Sequence, residues 1–216
     1  MDKKQIAAES AKILLDTKSV LFNAEEPFRY ASGNVGPVYI DCRRLLSFPD
    51  ARSRLMDFGS SLLKDLDIDI VAGAETAGIP YGAFIAERLN KPMIYVRKKA
   101  KGHGRMSQIE GHLEEGSHPR VLLVEDLQNF GASKQVFVDA LRNAGTIVEN
   151  FFVVFDYGIR PEVIKENEEM GLTLHNLANW WDVLSVAKKE NYFDPATLNS
   201  VELYLGNSEE WAKKRA

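Results

Sequence analysis

Residues 121–134 read VLLVEDLQNFGASK. Four apolar residues run without alternation into two adjacent carboxylates, Glu125 and Asp126, and then into a short polar turn carrying Gly131 and Ser133. An apolar run of this length, bounded by a turn, reads as a strand buried on both faces, the kind that builds parallel sheets. The spacing that follows predicts a helix over residues 132–144, ended by Gly145. The same alternation continues outward. Strands are predicted over residues 69–74, 92–96 and 147–155, with a helix over residues 78–90 that carries Pro80 in its first turn. Apolar strands separated by single helices predict an α/β fold: a central, mostly parallel sheet flanked by helices.

The flanks are less regular. A helix is predicted over residues 3–16 with Ile6, Ala7, Ile13 and Leu14 on its apolar side, followed by an extended, irregular region that includes PVYIDCR at residues 37–43. Ser47 and Pro49 open another helix, buried through Leu55, Leu62 and Leu63. The stretch from residue 97 to Pro119 is polar and has no apolar period, so it reads as a loop. After residue 160 the pattern gives a helix over residues 161–170, a short strand at LTLHNL, and a terminal helix from NWWDVLSVAKK. Trp180, Trp181, Phe151, Phe152, Phe84 and Met93 read as packing residues, not stacking platforms.

At 216 residues with 45% hydrophobic content, the chain can bury a core and fits one domain. A net charge of −4 gives no general attraction to nucleic acid or to an anionic membrane. Cys42 is the only cysteine, which excludes an intrachain disulfide and fits a reducing compartment. The N-terminal stretch MDKKQIAAESAKILLD lacks the uninterrupted apolar run of a signal peptide, and no segment is long enough to span a bilayer. The expectation is a cytoplasmic protein that binds neither nucleic acid nor membrane.

Ligands of open α/β sheets bind beyond the carboxyl ends of the strands, and three loops there stand out. GAETAGIP, residues 73–80, is a small-residue turn into a helix. It is either an anion cradle of backbone N–H groups or simply a tight turn, and it is neither a Walker loop nor a GxGxxG fingerprint. YVRKKAKGHGRMSQIEG, residues 95–111, gathers Arg97, Lys98, Lys99, Lys101 and Arg105 around His103 and two glycines. A solvated charged loop is the plainer reading; a lid that carries cations onto a polyanion is the sharper one. His103, His112 and His118 are spaced too irregularly for a structural zinc site. The third loop is the opening stretch. Acids beside a phosphate turn suit a ribose 5-phosphate, with Glu125 and Asp126 accepting from the ring hydroxyls and the turn amides holding the phosphate.

Together the three loops resemble the type I phosphoribosyltransferases, whose fingerprint is an apolar strand, two acids and a glycine-containing phosphate turn. More narrowly, the PFRYASGNVGPVYIDCR segment, the AGAETAGIP turn and the RKxxKxHG spacing at Arg97, Lys98, Lys101 and His103 are similar to the orotate phosphoribosyltransferase family. The resemblance runs from about residue 22 to residue 155. It implies one domain over residues 1–216, with a core at about 48–160 and a base-binding hood from about 18–45 and parts of the C-terminal region.

It also implies roles. Ala74, Glu75, Thr76, Ala77 and Gly78 would hold pyrophosphate. Glu125, Asp126, Leu127, Gln128, Asn129, Phe130, Gly131, Ala132 and Ser133 would hold the ribose 5-phosphate. Arg97, Lys98, Lys101 and His103 would bind and discharge the leaving group, part of this set acting across a homodimer interface. Lys101, His103 and Asp126 would be the catalytic residues. The segment from Ser32 to Tyr39 would flank the base, with Asn129, Tyr157 and Tyr39 binding orotate. The implied substrates are phosphoribosyl pyrophosphate and orotate, and the implied cofactor is Mg²⁺, held mainly through substrate oxygens and waters with no protein metal site.

The sequence departs from the family pattern at Asn129 and Phe130 in the turn, at Ala31 in the base segment, and at Tyr157, where an arginine for the orotate carboxylate is usual. A relative that uses another base, and a non-catalytic nucleotide sensor, are the alternatives. If Lys101 neutralises the leaving group, Lys101→Ala lowers kcat for pyrophosphate release by about a hundredfold or more. A near-normal kcat rejects the role.

Overall fold

The computed structural model describes residues 1–30, 33–101, 108–114, 116–128, 132–159 and 161–214. Along the chain run α1 (Lys3–Asp16), β1 (Val20–Phe22), β2 (Phe28–Arg29), β3 (Val35–Gly36) and β4 (Val38–Ile40). A 3₁₀ turn (Cys42–Ser47) leads to α2 (Pro49–Leu63), β5 (Ile70–Ala74), α3 (Gly78–Leu89), β6 (Met93–Val96) and β7 (Ile109–Glu110). Next come β8 (Arg120–Gln128), α4 (Ala132–Asn143), β9 (Ile147–Asp156), α5 (Pro161–Glu169) and β10 (Thr173–Asn179). The chain then forms α6 (Trp180–Lys189), α7 (Pro195–Gly206) and α8 (Ser208–Lys213). It divides into two compact units: residues 53–156 with 160–177, and residues 1–52 with 157–159 and 178–216.

The unit of residues 53–156 and 160–177 carries the central sheet, a six-stranded layer in the order β10-β9-β8-β5-β6-β7. β5 is parallel to both β6 and β8, and β8 is parallel to β9. Ala72 is in register with Ile94 on one side and Leu123 on the other, which brings the three strand ends to one edge. Strands that are apolar on both faces need cover on both faces. Phe151 packs with Phe137, Val138 and Leu141 of α4 in one buried cluster. Phe152 faces the other way, against Gly59 of α2, where a Cβ would come 2.8 Å from its ring and 3.0 Å from Ile85 of α3. The α/β architecture is the one expected from the alternation.

Two expectations about this unit need correction. β8 does not end at Glu125, where the apolar run VLLVE gives out. Its ladder with β9 continues through Leu127↔Phe155 and Gln128↔Asp156, so Glu125 and Asp126 are strand residues. The polar stretch after β6 is not structureless either. Tyr95 and Val96 pair antiparallel with Glu110 and Ile109, so the cationic segment leaves and re-enters the sheet as a hairpin excursion. Two paired residues are too short to give a period in sequence.

The unit of residues 1–52, 157–159 and 178–216 is built on helices and two small hairpins. β1 pairs with β4 and β2 with β3, both antiparallel, where sequence gave only extended chain. Asp2 and Gln5 form a capping box on α1, and Asn179 with Asp182 forms another on α6. Trp180 is fully buried, with Phe22 6.1 Å away ring to ring and Phe193 4.8 Å beyond Phe22, whereas Trp181 is 42% exposed. Instead of one terminal helix there are three, α7 starting from Asp194 and Pro195 and α8 from Asn207. Among the described residues no helix is long and apolar enough to cross a membrane.

Gly73 shows how tightly β5 and α3 are joined. A Cβ at this position would lie 2.7 Å from Ile79 Cα and 2.8 Å from the Gly78 carbonyl, both backbone atoms that cannot swing aside. Gly73→Val is expected to cost about 2–3 kcal/mol of stability through overpacking. The check is the urea midpoint of the variant against the parent protein.

Candidate active site

The site is built where β5, β6 and β8 end. β5 leads through Glu75, Thr76 and Ala77 into α3, whose first residue, Gly78, lies on β8 at Val124 and Glu125. A Cβ on Gly78 would overlap the Val124 carbonyl oxygen and come within 3.0 Å of Glu125 Cα. Only glycine lets the N-terminus of α3, with its outward N–H groups, press against the acid pair. Ala74, Ala77 and Gly78 are buried, while Thr76 is exposed and Glu75 half-buried.

Glu125 accepts hydrogen bonds from the backbone N–H groups of Gly78 and Asp126, the latter at 3.2 Å. Asp126, 7% exposed, takes the Leu127 N–H on Oδ1 at 2.9 Å. Two neighbouring carboxyls in a partly dry setting disfavour double ionisation. Burial first, and the Asp126 charge second, push the Glu125 carboxyl up to about 8. At neutral pH the pair therefore shares one retained proton.

The root of the cationic excursion is clamped by backbone. Glu75 N–H bonds to the Val96 carbonyl at 2.9 Å, and the Glu75 carboxylate accepts the Lys98 N–H at 2.8 Å. Arg97 N–H reaches the Gln108 carbonyl at 2.7 Å, and Gln108 Nε2 returns a bond to the Arg97 carbonyl at 3.0 Å. The Arg97 guanidinium meets Glu110 at 3.4 Å, and its Nε is buried with no hydrogen-bond partner among the described residues. Lys98, Lys99 and Lys101 are exposed. The hairpin root thus holds the start of a cationic segment beside the α3 turn.

Several residues singled out from sequence belong to the second compact unit or lie outside the described residues. Tyr39 is 43% exposed with its ring 5.4 Å from that of Phe28. Tyr157 meets the Trp180 ring edge-on at 5.5 Å, and burial pushes its phenol up. Both belong to the unit of residues 1–52, 157–159 and 178–216. In the same unit Gly36 packs beneath the hydroxyls of Tyr30 and Tyr204, and Tyr30 Oη donates to the Val38 carbonyl at 2.7 Å. Ala132 and Ser133 open α4, and Leu127 is half-buried. Ala31, Ser32, His103, Arg105, Asn129, Phe130, Gly131 and Arg160 lie outside the described residues.

Gln128 turns out to be an interior residue. Its side chain bonds Asp156 at 3.2 Å and receives Lys134 Nζ at 2.9 Å. Sequence reasoning missed Lys134. The signal was present: Lys134 shares the helical spacing of Phe137, Val138 and Leu141, so it lies on the apolar stripe of α4. Among the described residues no three His, Cys, Asp or Glu side chains gather to hold a metal.

No known family profile matches the chain. Similar proteins are nevertheless clear. An orotate phosphoribosyltransferase of Cereibacter sphaeroides is 50% identical over 217 residues, covering 99% of this chain and 93% of that protein. The crystal structure of orotate phosphoribosyltransferase from Aeropyrum pernix superposes with a TM-score of 0.69 at 32% identity, over 85% of this chain and 99% of that one. The structure of Leishmania donovani UMP synthase superposes with a TM-score of 0.77 at 27% identity, over 92% of this chain but only 42% of that longer one.

The raised Glu125 carboxyl has a consequence for stability. Below about pH 4.5 the group is protonated whether folded or unfolded and contributes nothing; between 4.5 and about 8 the folded protein keeps a proton that the unfolded chain releases, so stability falls as pH rises. Glu125→Gln removes this cost. The variant should be more stable than the parent above about pH 8, with the advantage vanishing toward pH 4.5. Urea midpoints across this range test it, and a gain that does not change with pH places the retained proton elsewhere.

Proposed function

Because this chain belongs to the orotate phosphoribosyltransferase family, we propose a division of labour among its residues for that family's reaction. The reaction transfers the 5-phosphoribosyl group of phosphoribosyl pyrophosphate to orotate, giving orotidine 5′-monophosphate and pyrophosphate in pyrimidine biosynthesis. The observation that carries the assignment is the contact of Gly78 with the Val124–Glu125 backbone, which sets anion-binding amides against sugar-binding acids.

Backbone N–H groups from Ala74 to Gly78 hold the pyrophosphate. Asp126 and Glu125 accept from the ribose 2- and 3-hydroxyls, Glu125 doing so through its carbonyl oxygen while it keeps its proton. The segment from Leu127 to Ser133, including Asn129, Phe130 and Gly131, takes the 5-phosphate at the start of α4. Breaking the bond from C1 to pyrophosphate leaves an electron-poor ribose and a highly charged leaving group. The ionised Asp126 favours the first; Arg97, Lys98, Lys101 and His103 stabilise the second. Closure of the cationic segment excludes water, so that orotate and not water captures C1. Tyr39, Tyr157 and Asn129 contact the base.

Mg²⁺ would be held mainly through substrate oxygens and its own waters, with the oxygen donors of Glu125 and Asp126 beside them, and would supply positive charge to the pyrophosphate leaving group. The working form is a homodimer in the cytoplasm, with part of the cationic set reaching the neighbouring subunit's site.

The test is incubation with phosphoribosyl pyrophosphate, Mg²⁺ and a panel of bases. Orotate should be consumed (followed at its ultraviolet band) with one pyrophosphate released per orotate. Consumption of a different base in its place overturns the assignment, as does pyrophosphate release that ignores every base.

A further inference from the structure

Glu75 puts a negative charge into the turn that the proposed function gives to pyrophosphate. A carboxylate turned toward a bound polyanion would repel it, so the residue needs another use. The local geometry supplies one. The β5–β6 ladder ends at Ala74↔Val96, where β5 turns away into α3 while the other chain runs on through Arg97 and Lys98. Glu75 N–H still reaches the Val96 carbonyl at 2.9 Å. In a continued parallel ladder the Lys98 N–H would go to the Glu75 carbonyl. Here the Glu75 carboxylate takes that place, accepting the Lys98 N–H on Oε2 at 2.8 Å.

Two bonds from one residue therefore straddle Arg97. From the opposite side Gln108 holds Arg97 itself: its carbonyl accepts the Arg97 N–H at 2.7 Å, and its side-chain amide donates to the Arg97 carbonyl at 3.0 Å. The main chain of residues 96–98 is thus fixed on both edges, by Gln108 on one and by Glu75 on the other. Lys98 is exposed and Glu75 half-buried, so water takes the Lys98 N–H once the carboxylate is withdrawn.

We infer that Glu75 is a positioning residue: its carboxylate stands in for a ladder carbonyl, ties Lys98 to the pyrophosphate turn, and so fixes the main chain of Arg97 and Lys98 beside that turn. The inference rests on the proposed assignment of the turn and of these two cations to pyrophosphate. It gives the acid a mechanical role, exerted through the contact and not through its charge. Donors fixed in advance lower the ordering that binding has to supply.

Calorimetric titration with pyrophosphate and Mg²⁺ tests this on two variants, each with its thermal transition recorded. Glu75→Gln removes the charge but keeps an acceptor of the same reach, and should bind pyrophosphate no more weakly than the parent protein. Glu75→Asp keeps the charge but is one methylene too short for the contact, and should bind about tenfold more weakly. Amide hydrogen exchange at Lys98 should quicken in Glu75→Asp and not in Glu75→Gln. Glu75→Ala, which also loses the contact, is read in the same way if Glu75→Asp does not fold. A folded Glu75→Asp protein with the parent's affinity overturns the inference, even where its thermal transition falls. So does a Glu75→Gln protein as weak as Glu75→Asp, because the effect then belongs to the charge. Parent protein that binds no pyrophosphate overturns the assignment of the turn and this inference together.

Discussion

The absence of a side chain at Gly78 is the constraint on which the site depends. Helix α3 begins so close to β8 that a Cβ would overlap the Val124 carbonyl oxygen. Gly73 makes the same demand one strand away, since the α3 backbone lies across it. Between them, these two positions bring the start of α3 against β8, where the Gly78 N–H donates to the Glu125 carboxyl. Such a junction is electrostatically mixed by construction. Burial first, and the Asp126 charge second, favour the protonated Glu125 carboxyl there; the proposed roles, amides for phosphate and acids for sugar hydroxyls, use both halves of the junction.

A chain with a net charge of −4 still has to receive a polyanion. Its answer is local. The cationic segment is rooted in a hairpin where Glu75, Val96, Arg97 and Gln108 exchange main-chain and side-chain bonds. This root fixes where the segment leaves the sheet while its lysines remain exposed. At the start of α4, Lys134 is a further basic group, buried inside the protein, where solvent ions screen it little. Surface lysines and a buried lysine thus differ: Lys98, Lys99 and Lys101 are exposed, while Lys134 is held by Gln128 and Asn167.

Much of this was open to reading along the chain. The apolar runs at residues 121–124 and 147–155, with a helical period between them, determine an α/β sheet because backbone polarity and side-chain burial leave few alternatives. The small-residue turn, the acid pair and the spacing of Arg97, Lys98, Lys101 and His103 belong to short contiguous segments. A family resemblance in these segments survives without coordinates. So do some element boundaries, such as the starts of α1 at Lys3, α3 at Gly78 and α4 at Ala132, whose signals lie within one turn of helix.

What only the tertiary structure decided are the features that join residues far apart in sequence. The extension of β8 to Gln128 depends on β9 lying alongside it, and the β7 pairing depends on β6. Gln128 reads as a turn residue in sequence but becomes an interior anchor, because Asp156 and Asn167 arrive from other elements. Lys134, passed over in the sequence, is buried where α4 packs on Phe151. Local periodicity specifies which face of a segment is apolar. It does not specify which polar groups meet once that face is covered, and desolvation at that meeting turns ordinary side chains into parts of a site.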